Sequence, residues 1–138
     1  MTGRFADTTV LAHAYGGAHP QQVPCQQILR RVATHAEDIH LSTEAIQEFI
    51  HHRMRRVDRE VALRDARDVV DTCVLHPFDA AVLARSLDLI ATTSIRGRDA
   101  VHAATALENG FTEIISADPD FDSVPGLRRI DPLDLGRG

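Results

Sequence analysis

Phe5-Ala6-Asp7-Thr8-Thr9-Val10-Leu11-Ala12-His13-Ala14 passes from strand to helix through an acid, and the rest of the chain repeats that alternation. Phe5-Ala6 is a brief apolar strand ending at Asp7, and Thr8 to Tyr15 reads as a helix closed by Gly16-Gly17. The same alternation continues downstream. Pro20 to about Ala36 is a second helical region, with Pro24 near its start. Asp38 to Leu41 is a short strand, and Ser42 or Thr43 caps a helix expected to run to about Val57. On that helix Ile46, Phe49, Ile50, Met54 and Val57 form one apolar stripe, with Glu44, Glu48 and Arg55 off it. Arg59 to Thr72 is helical, with Val61, Leu63, Ala66, Val69 and Val70 apolar, and Cys73-Val74-Leu75 is a third strand. Asp79 caps Ala80 to Ile90, Ala91 to Gly97 is a loop, and Asp99 to Asn109 is a helix ended by Gly110. Glu113 to Ala117 and Arg128-Arg129-Ile130 are the last strands. Such alternation predicts an α/β class fold, a small parallel sheet with helices on both faces. Ligands of such sheets sit in the crevice at the carboxyl ends of the strands.

Composition narrows the function. The 138 residues are read as one domain, 1–138, with 43% apolar residues, which argues against disorder. The formal net charge is −5 and the pI is near 5.8, so a broad basic coat for nucleic acid is excluded while a local patch is not. All 15 basic residues are arginine, the side chain that grips phosphate in a bidentate fork. Met-Thr-Gly-Arg-Phe opens without the apolar stretch of a signal peptide, and no apolar run approaches the roughly 20 residues of a membrane span. Cys25 and Cys73 form no CxxC and read as reduced core residues. The expectation is a cytoplasmic protein with no membrane contact.

Four acids stand out by position. Asp7 ends the first strand, Asp118 follows the strand Ile114-Ile115-Ser116-Ala117, Asp99 opens a helix, and Glu48 lies one turn into the helix after the second strand. Any one alone is an ordinary cap or turn residue. Brought to one edge of a sheet, four carboxylates ionise together only if cations neutralise them. Hard divalent ions with oxygen ligands, Mg²⁺ or Mn²⁺, are the expected partners. Such a cage suits phosphodiester cleavage, in which one ion makes hydroxide from water and another stabilises the leaving oxygen. No Ser/His/Asp ordering, GxSxG or P-loop competes.

These stretches resemble those of a known family. Ala6-Asp7-Thr8-Thr9-Val10-Leu11-Ala12-His13-Ala14 is similar to the opening "D-T/S-x-V-L-x-x-A" of PIN-domain ribonucleases. Leu41-Ser42-Thr43-Glu44-Ala45-Ile46-Gln47-Glu48-Phe49 is similar to their second motif, whose acid is the Glu of "Q-E-F". Arg98-Asp99-Ala100-Val101-His102-Ala103-Ala104-Thr105-Ala106-Leu107 resembles the third, and Ile115-Ser116-Ala117-Asp118-Pro119-Asp120-Phe121-Asp122 the fourth. Val124 to Ile130 matches the usual tail. Size and the third motif resemble the VapC-type toxins of bacterial toxin–antitoxin pairs.

The resemblance implies a three-layer α/β/α PIN-like domain whose acids bind Mg²⁺ or Mn²⁺ and cut RNA. Asp7, Glu48, Asp99 and Asp118 are then the catalytic acids and metal ligands, directly or through water. Thr8 supports them by orienting a carboxylate or a water. Glu44 competes with Glu48, and Asp120 competes with Asp122 for a supporting role, with Glu48 and Asp120 preferred. A small cognate antitoxin, an RNA substrate and a homodimer are the implied partners. Arg53, Arg55, Arg56 and Arg59 are either a solvated helix end or a contact for RNA or for the partner. His102, three residues after Asp99, is either a core histidine or a hydrogen-bonding neighbour of the site. Five Phe and one Tyr are too few for a base-stacking platform. Two other classes stay in view: a PIN-like RNA- or protein-binding module without turnover, and an Asp phosphoacceptor domain, which the absence of lysine disfavours.

Overall fold

The computed structural model describes residues 3–135. Met1 and Thr2, at the head of the stretch read for a signal peptide, lie outside the described residues, as do 136–138. Five strands form one sheet: β1 (Gly3–Ala6), β2 (Asp38–Ser42), β3 (Val74–His76), β4 (Glu113–Ile115) and β5 (Arg128–Ile130). Their spatial order is β3-β2-β1-β4-β5, and every neighbouring pair is parallel. Among the described residues the helices are α1 (Thr8–Ala14), α2 (Gln22–Ala33), α3 (Thr43–Arg53), α4 (Arg59–Thr72), α5 (Ala80–Thr92), α6 (Gly97–Glu108) and α7 (Pro132–Leu135). A 3₁₀ turn spans Pro119–Ser123.

Alternation along the strands builds two cores, one on each sheet face. Ala6, Ile39, Leu41 and Ile115 point to the side of α1 to α4, where they meet Val10, Leu11, Ile28, Phe49 and Val69. Phe5 and Ile114 point the other way, onto Val82, Leu89, Ala103, Phe111 and Phe121 of α5, α6 and the segments after them. The fold is therefore a three-layer α/β/α sandwich, as the alternation predicts. From β1 the chain runs outward to β2 and β3, then returns beneath the sheet to β4 on the other side of β1. That reversal opens a crevice beyond the carboxyl ends of β1 and β4, the position at which ligands bind such sheets. No helix among the described residues is long and apolar enough to cross a membrane.

Element boundaries differ from the sequence reading where side chains override propensity. Helix α3 stops at Arg53, and Met54 to Val57 form turns instead of continuing its stripe. Asp58 caps α4 through the Val61 N–H. On α4 the buried residues are Ala62, Ala66 and Val69, while Leu63 and Val70 face outward. The strand foreseen from Glu113 to Ala117 ends at Ile115: the Ser116 N–H still donates to the Ile130 carbonyl at 3.0 Å, and the Ala117 N–H turns away to the Thr9 hydroxyl. Asp99 lies in the first turn of α6, which starts at Gly97. Gly110 has φ +81°, the left-handed conformation expected of the residue closing that helix. Cys25 is buried and its thiol is pushed up to about 12 by burial. Cys73 is half-buried, and both are free thiols.

Gly3 is fixed by a different contact. The His40 ring lies directly over it, leaving no room for a Cβ. That ring is held from its other side by a 2.8 Å hydrogen bond between His40 Nδ1 and His76 Nε2, and it packs on Phe111. Gly3→Ala is therefore expected to cost about 1–3 kcal/mol, the usual range for overpacking, measured by urea unfolding. An unchanged midpoint would contradict this packing.

Candidate active site

The first acid is the most confined. Asp7 sits at the N-cap of α1 and is buried. Its Oδ1 accepts from the Thr9 hydroxyl at 2.6 Å and the Thr9 N–H at 3.1 Å, and its Oδ2 accepts from the Ser116 hydroxyl at 2.9 Å. The same hydroxyls accept in turn: Thr9 Oγ1 from the Ala117 N–H and Ser116 Oγ from the Asp118 N–H, each at 3.0 Å. One network thus ties the end of β1 to the end of β4 and fixes where Asp7 and Asp118 stand. Neither Thr9 nor Ser116 is singled out by sequence reasoning. Their signal is a hydroxyl beside each strand-end acid.

Asp118 caps the 3₁₀ turn by accepting from the Asp120 N–H at 2.9 Å. Each of Asp99, Asp118 and Asp120 offers a carboxylate oxygen, and these oxygens lie within 4.8 Å of one another. Asp120, preferred over Asp122 in the sequence, joins this group. Asp122 instead pairs with Arg129, Oδ1 to Nε at 3.0 Å.

Glu48 approaches from α3. Its Oε1 accepts from the Thr8 hydroxyl at 3.4 Å and lies 2.5 Å from His102 Nε2. His102 is buried, and its Nδ1 lies 2.7 Å from Ser42 Oγ, the hydroxyl that caps α3. His102 therefore connects the end of β2, the start of α1 and Glu48, and it sits on α6 one turn after Asp99. Between its two sequence readings, the geometry places it as a hydrogen-bonding neighbour of the site. Glu44 makes no such link and lines a shallow groove with Glu48, Gly97, Arg98 and Val101. Thr8 reaches the Glu48 carboxylate through this single 3.4 Å contact.

The charges register this crowding. Burial pushes the Asp7 carboxyl up to about 6, against the opposing pull of the Thr9 and Ser116 bonds and of His102. Asp99 is also raised to about 6, first by burial and then by Asp118, Asp7 and Glu48. Glu48 goes the other way. Burial pushes it up, but the His102 bond and charge, with Arg98 and Thr8, hold it below the ordinary carboxylate value. All donors of the group are carboxylate oxygens, the chemistry that fits a hard divalent cation.

The arginine set divides. Arg53 turns inward, donating to Asp65 at 3.0 Å and to the Tyr15 carbonyl at 2.8 Å, with its guanidinium 5.7 Å from the Tyr15 ring centre. It clamps α3 to α4 and is a correction to the four-residue exposed patch. Arg55, Arg56 and Arg59 are exposed.

Comparison with known proteins bears on this arrangement. The PIN domain family model matches residues 4–127, nearly the whole chain. The chain belongs to the PIN-domain family. Within it, the chain is 36% identical over 129 residues to "Ribonuclease VapC7" of Mycobacterium tuberculosis, covering 91% of this chain and 89% of that one. It is 28% identical to "Ribonuclease VapC13" of the same organism, covering 91% and 98%. Among solved structures, the DNA-bound VapBC of Salmonella typhimurium superposes with a TM-score of 0.73 at 14% identity, covering 96% of this chain and 99% of that one. VapC20 of Mycobacterium tuberculosis, described as a Sarcin-Ricin loop cleaving toxin, gives 0.71 at 15% identity over 87% and 93%. These likenesses place the three-layer sandwich among PIN folds.

In this PIN domain the raised Asp7 carboxyl has a stability consequence. Its folded value of about 6 lies above the ordinary 3.8, so the folded chain binds the proton more tightly than the unfolded chain. The metal-free protein therefore loses stability as pH rises through that window. The shift corresponds to a few kcal/mol at order of magnitude. Asp7→Asn removes the buried charge while keeping a cap. In EDTA, the variant is expected to unfold at higher temperature than wild type above pH 7, with the difference fading towards pH 4. A difference independent of pH would contradict the assignment.

Proposed function

We propose that the chain is a divalent-metal-dependent endoribonuclease, the toxin of a toxin–antitoxin pair acting in the cytoplasm as a single PIN domain. The observation carrying this reading is the cluster of Asp99, Asp118 and Asp120, with Asp7 and Glu48 near enough to add to the charge that raises the Asp99 carboxyl to about 6. The names of the VapC relatives support the ribonuclease class.

Bound there, Mg²⁺ or Mn²⁺ supplies Lewis-acid charge that acidifies water and offsets charge on the phosphodiester. The chain supplies the rest. Asp7, Asp99 and Asp118 hold the ion, directly or through water, and Asp120 closes the exposed side. Both contacts on Glu48 fall on Oε1, which leaves Oε2 without a side-chain partner and able to serve as a further ligand. His102 and Thr8 keep that carboxylate from swinging away. Water attacks phosphorus in line, and the bond to the leaving oxygen breaks without a covalent enzyme intermediate. A binding module without turnover has no use for a crevice in which every one of these acids is present.

The partners follow. A small antitoxin is supported by the VapBC complexes among the structural relatives. A homodimer is supported by α5, whose Leu83, Leu87 and Ile90 form an exposed stripe at helical spacing, Leu87 57% exposed. Exposed Arg55, Arg56 and Arg59 are assigned to RNA or to the antitoxin.

Two measurements test this. Purified chain free of antitoxin is expected to cleave RNA with Mg²⁺ or Mn²⁺ and to stop in EDTA, and Asp99→Asn is expected to lower the rate by at least two orders of magnitude. Full activity in EDTA or in the variant would overturn the site. Leu87→Asp is expected to convert a dimer to a monomer by light scattering, and an unchanged mass would remove α5 from the interface.

A further inference from the structure

Two arginines stand side by side on β5, and their surroundings differ. The Arg128 side chain is 72% exposed and pairs with Glu113 on β4. The Arg129 side chain is 17% exposed and reaches Ser116, Asp122 and Asp131, all outside its strand. It meets the Asp122 carboxylate side-on, Nε to Oδ1 at 3.0 Å and Nη2 to Oδ2 at 3.4 Å. Its Nη1 donates to the Ser116 carbonyl at 3.1 Å and lies 3.5 Å from Asp131 Oδ2. Asp131 is fixed in turn through its other oxygen, which accepts from Gln21 Nε2 at 2.8 Å and from the Leu133 N–H at 3.0 Å. The guanidinium therefore has an anchor outside the segment it grips.

Ser116 and Asp122 bracket the residues that bring Asp118 and Asp120 to the acid cluster. Between them the chain has left β4 and forms the 3₁₀ turn. Turns of that kind have poor internal hydrogen-bond geometry. Here the Phe121 N–H reaches the Asp118 carbonyl only at 3.4 Å, and the Val124 N–H reaches the Phe121 carbonyl at 3.2 Å. Repulsion among Asp99, Asp118 and Asp120 pushes on that turn. Among the described residues, Arg129 is the one cation that pairs with an acid of the segment.

The grip on Ser116 reaches further. The Ser116 carbonyl and the Ala117 N–H belong to one planar trans peptide and point in opposite directions. Arg129 holds the carbonyl, and the Ala117 N–H donates to Thr9 Oγ1 at 3.0 Å. Thr9 then donates to Asp7 Oδ1 at 2.6 Å. One chain of hydrogen bonds thus runs from the guanidinium, through a peptide and a hydroxyl, to the buried acid, and each bond polarises the next.

We propose that Arg129 is a positioning residue of the cation site: it sets the spacing of Asp7, Asp118 and Asp120 by holding the Ser116–Ala117 peptide and the far end of the turn. The proposal rests on the metal-dependent reading and adds the residue that gives the site its dimensions. Arg129 acts by shape rather than by charge. Asp122 and Asp131 both face it, so the three side chains together carry a net charge of 1 − 2 = −1. Lysine would keep the positive charge. Its single ammonium has no planar fork with which to take Asp122 side-on and hold the Ser116 carbonyl as well.

The test is calorimetric titration of the full, metal-free chain with Mn²⁺ at neutral pH, with the melting temperature in EDTA as the check on folding. The variants are Arg129→Lys, Asp122→Ala on the exposed arm of the clamp, and Arg128→Gln as a control that breaks the neighbouring ion pair of β5. Arg129→Lys is expected to weaken Mn²⁺ binding about tenfold or more, the usual cost of losing a partner that orients metal ligands. Asp122→Ala is expected to weaken it by a smaller factor, and Arg128→Gln to bind as wild type. RNA cleavage by Arg129→Lys is expected to fall in kcat with KM unchanged. Wild-type Mn²⁺ affinity in Arg129→Lys would overturn the proposal, and so would equal weakening by Arg128→Gln. A raised KM at unchanged kcat would make Arg129 a substrate contact and overturn it too. Should Arg129→Lys fail to fold, Asp122→Ala decides by the same criterion. Wild-type chain that binds no Mn²⁺ would instead bring down the metal-dependent reading beneath it.

Discussion

Carboxylates gathered in one crevice repel each other, and burial makes each charge dearer still, so the acids of this protein stay together only because the backbone leaves them no alternative. Asp7 is pinned by Thr9 and Ser116, whose hydroxyls are themselves held by the N–H groups of Ala117 and Asp118. The parallel pairing of β1 with β4 brings those two strand ends side by side. Glu48 is delivered from a third strand–helix unit and stopped in place by His102, which bridges to Ser42. The repulsion is thus stored against the sheet, and in the proposed site it is what a bound cation would relieve. A site that relaxed its acids into solvent would have ordinary carboxylates and little to gain from an ion.

The sequence made the outline legible because the short strands end on acids. Asp7 and Asp118 mark the carboxyl edge of the sheet in the primary structure, and Ser42 and Asp79 announce the helices they cap. Less legible was what joins distant segments. Thr9 and Ser116 meet Asp7 from opposite ends of the chain, and the choice of Thr9 for Asp7 and Thr8 for Glu48 depends on how the first turn of α1 is oriented. Arg53 reads as one of a run of exposed arginines. Its inward turn depends on Asp65 and the Tyr15 carbonyl, both supplied by other segments. The third strand, only Val74–His76, owes its place to its ladder with β2. Propensity alone carries little weight over so few residues.

The division of charge follows from the same architecture. Acids and bases occupy separate places on this chain. Here the acids lie at the strand ends, while the end of α3 and the loop after α1 present imidazole and guanidinium groups. The all-arginine composition suits that division, since guanidinium keeps its charge and grips phosphate at two points. Asp65 on α4 is neutralised by Arg53 from the end of α3.

The central claim is that the converging carboxylates form a cation site created by their own crowding. Calorimetric titration of the metal-free chain with Mn²⁺ tests it most directly, at neutral pH and again below the raised values of Asp7 and Asp99. Crowding predicts saturable binding at neutral pH that weakens as protons reclaim Asp7 and Asp99, and that is lost in Asp99→Asn. Binding that is absent at neutral pH, or that survives unchanged in the variant, would contradict it.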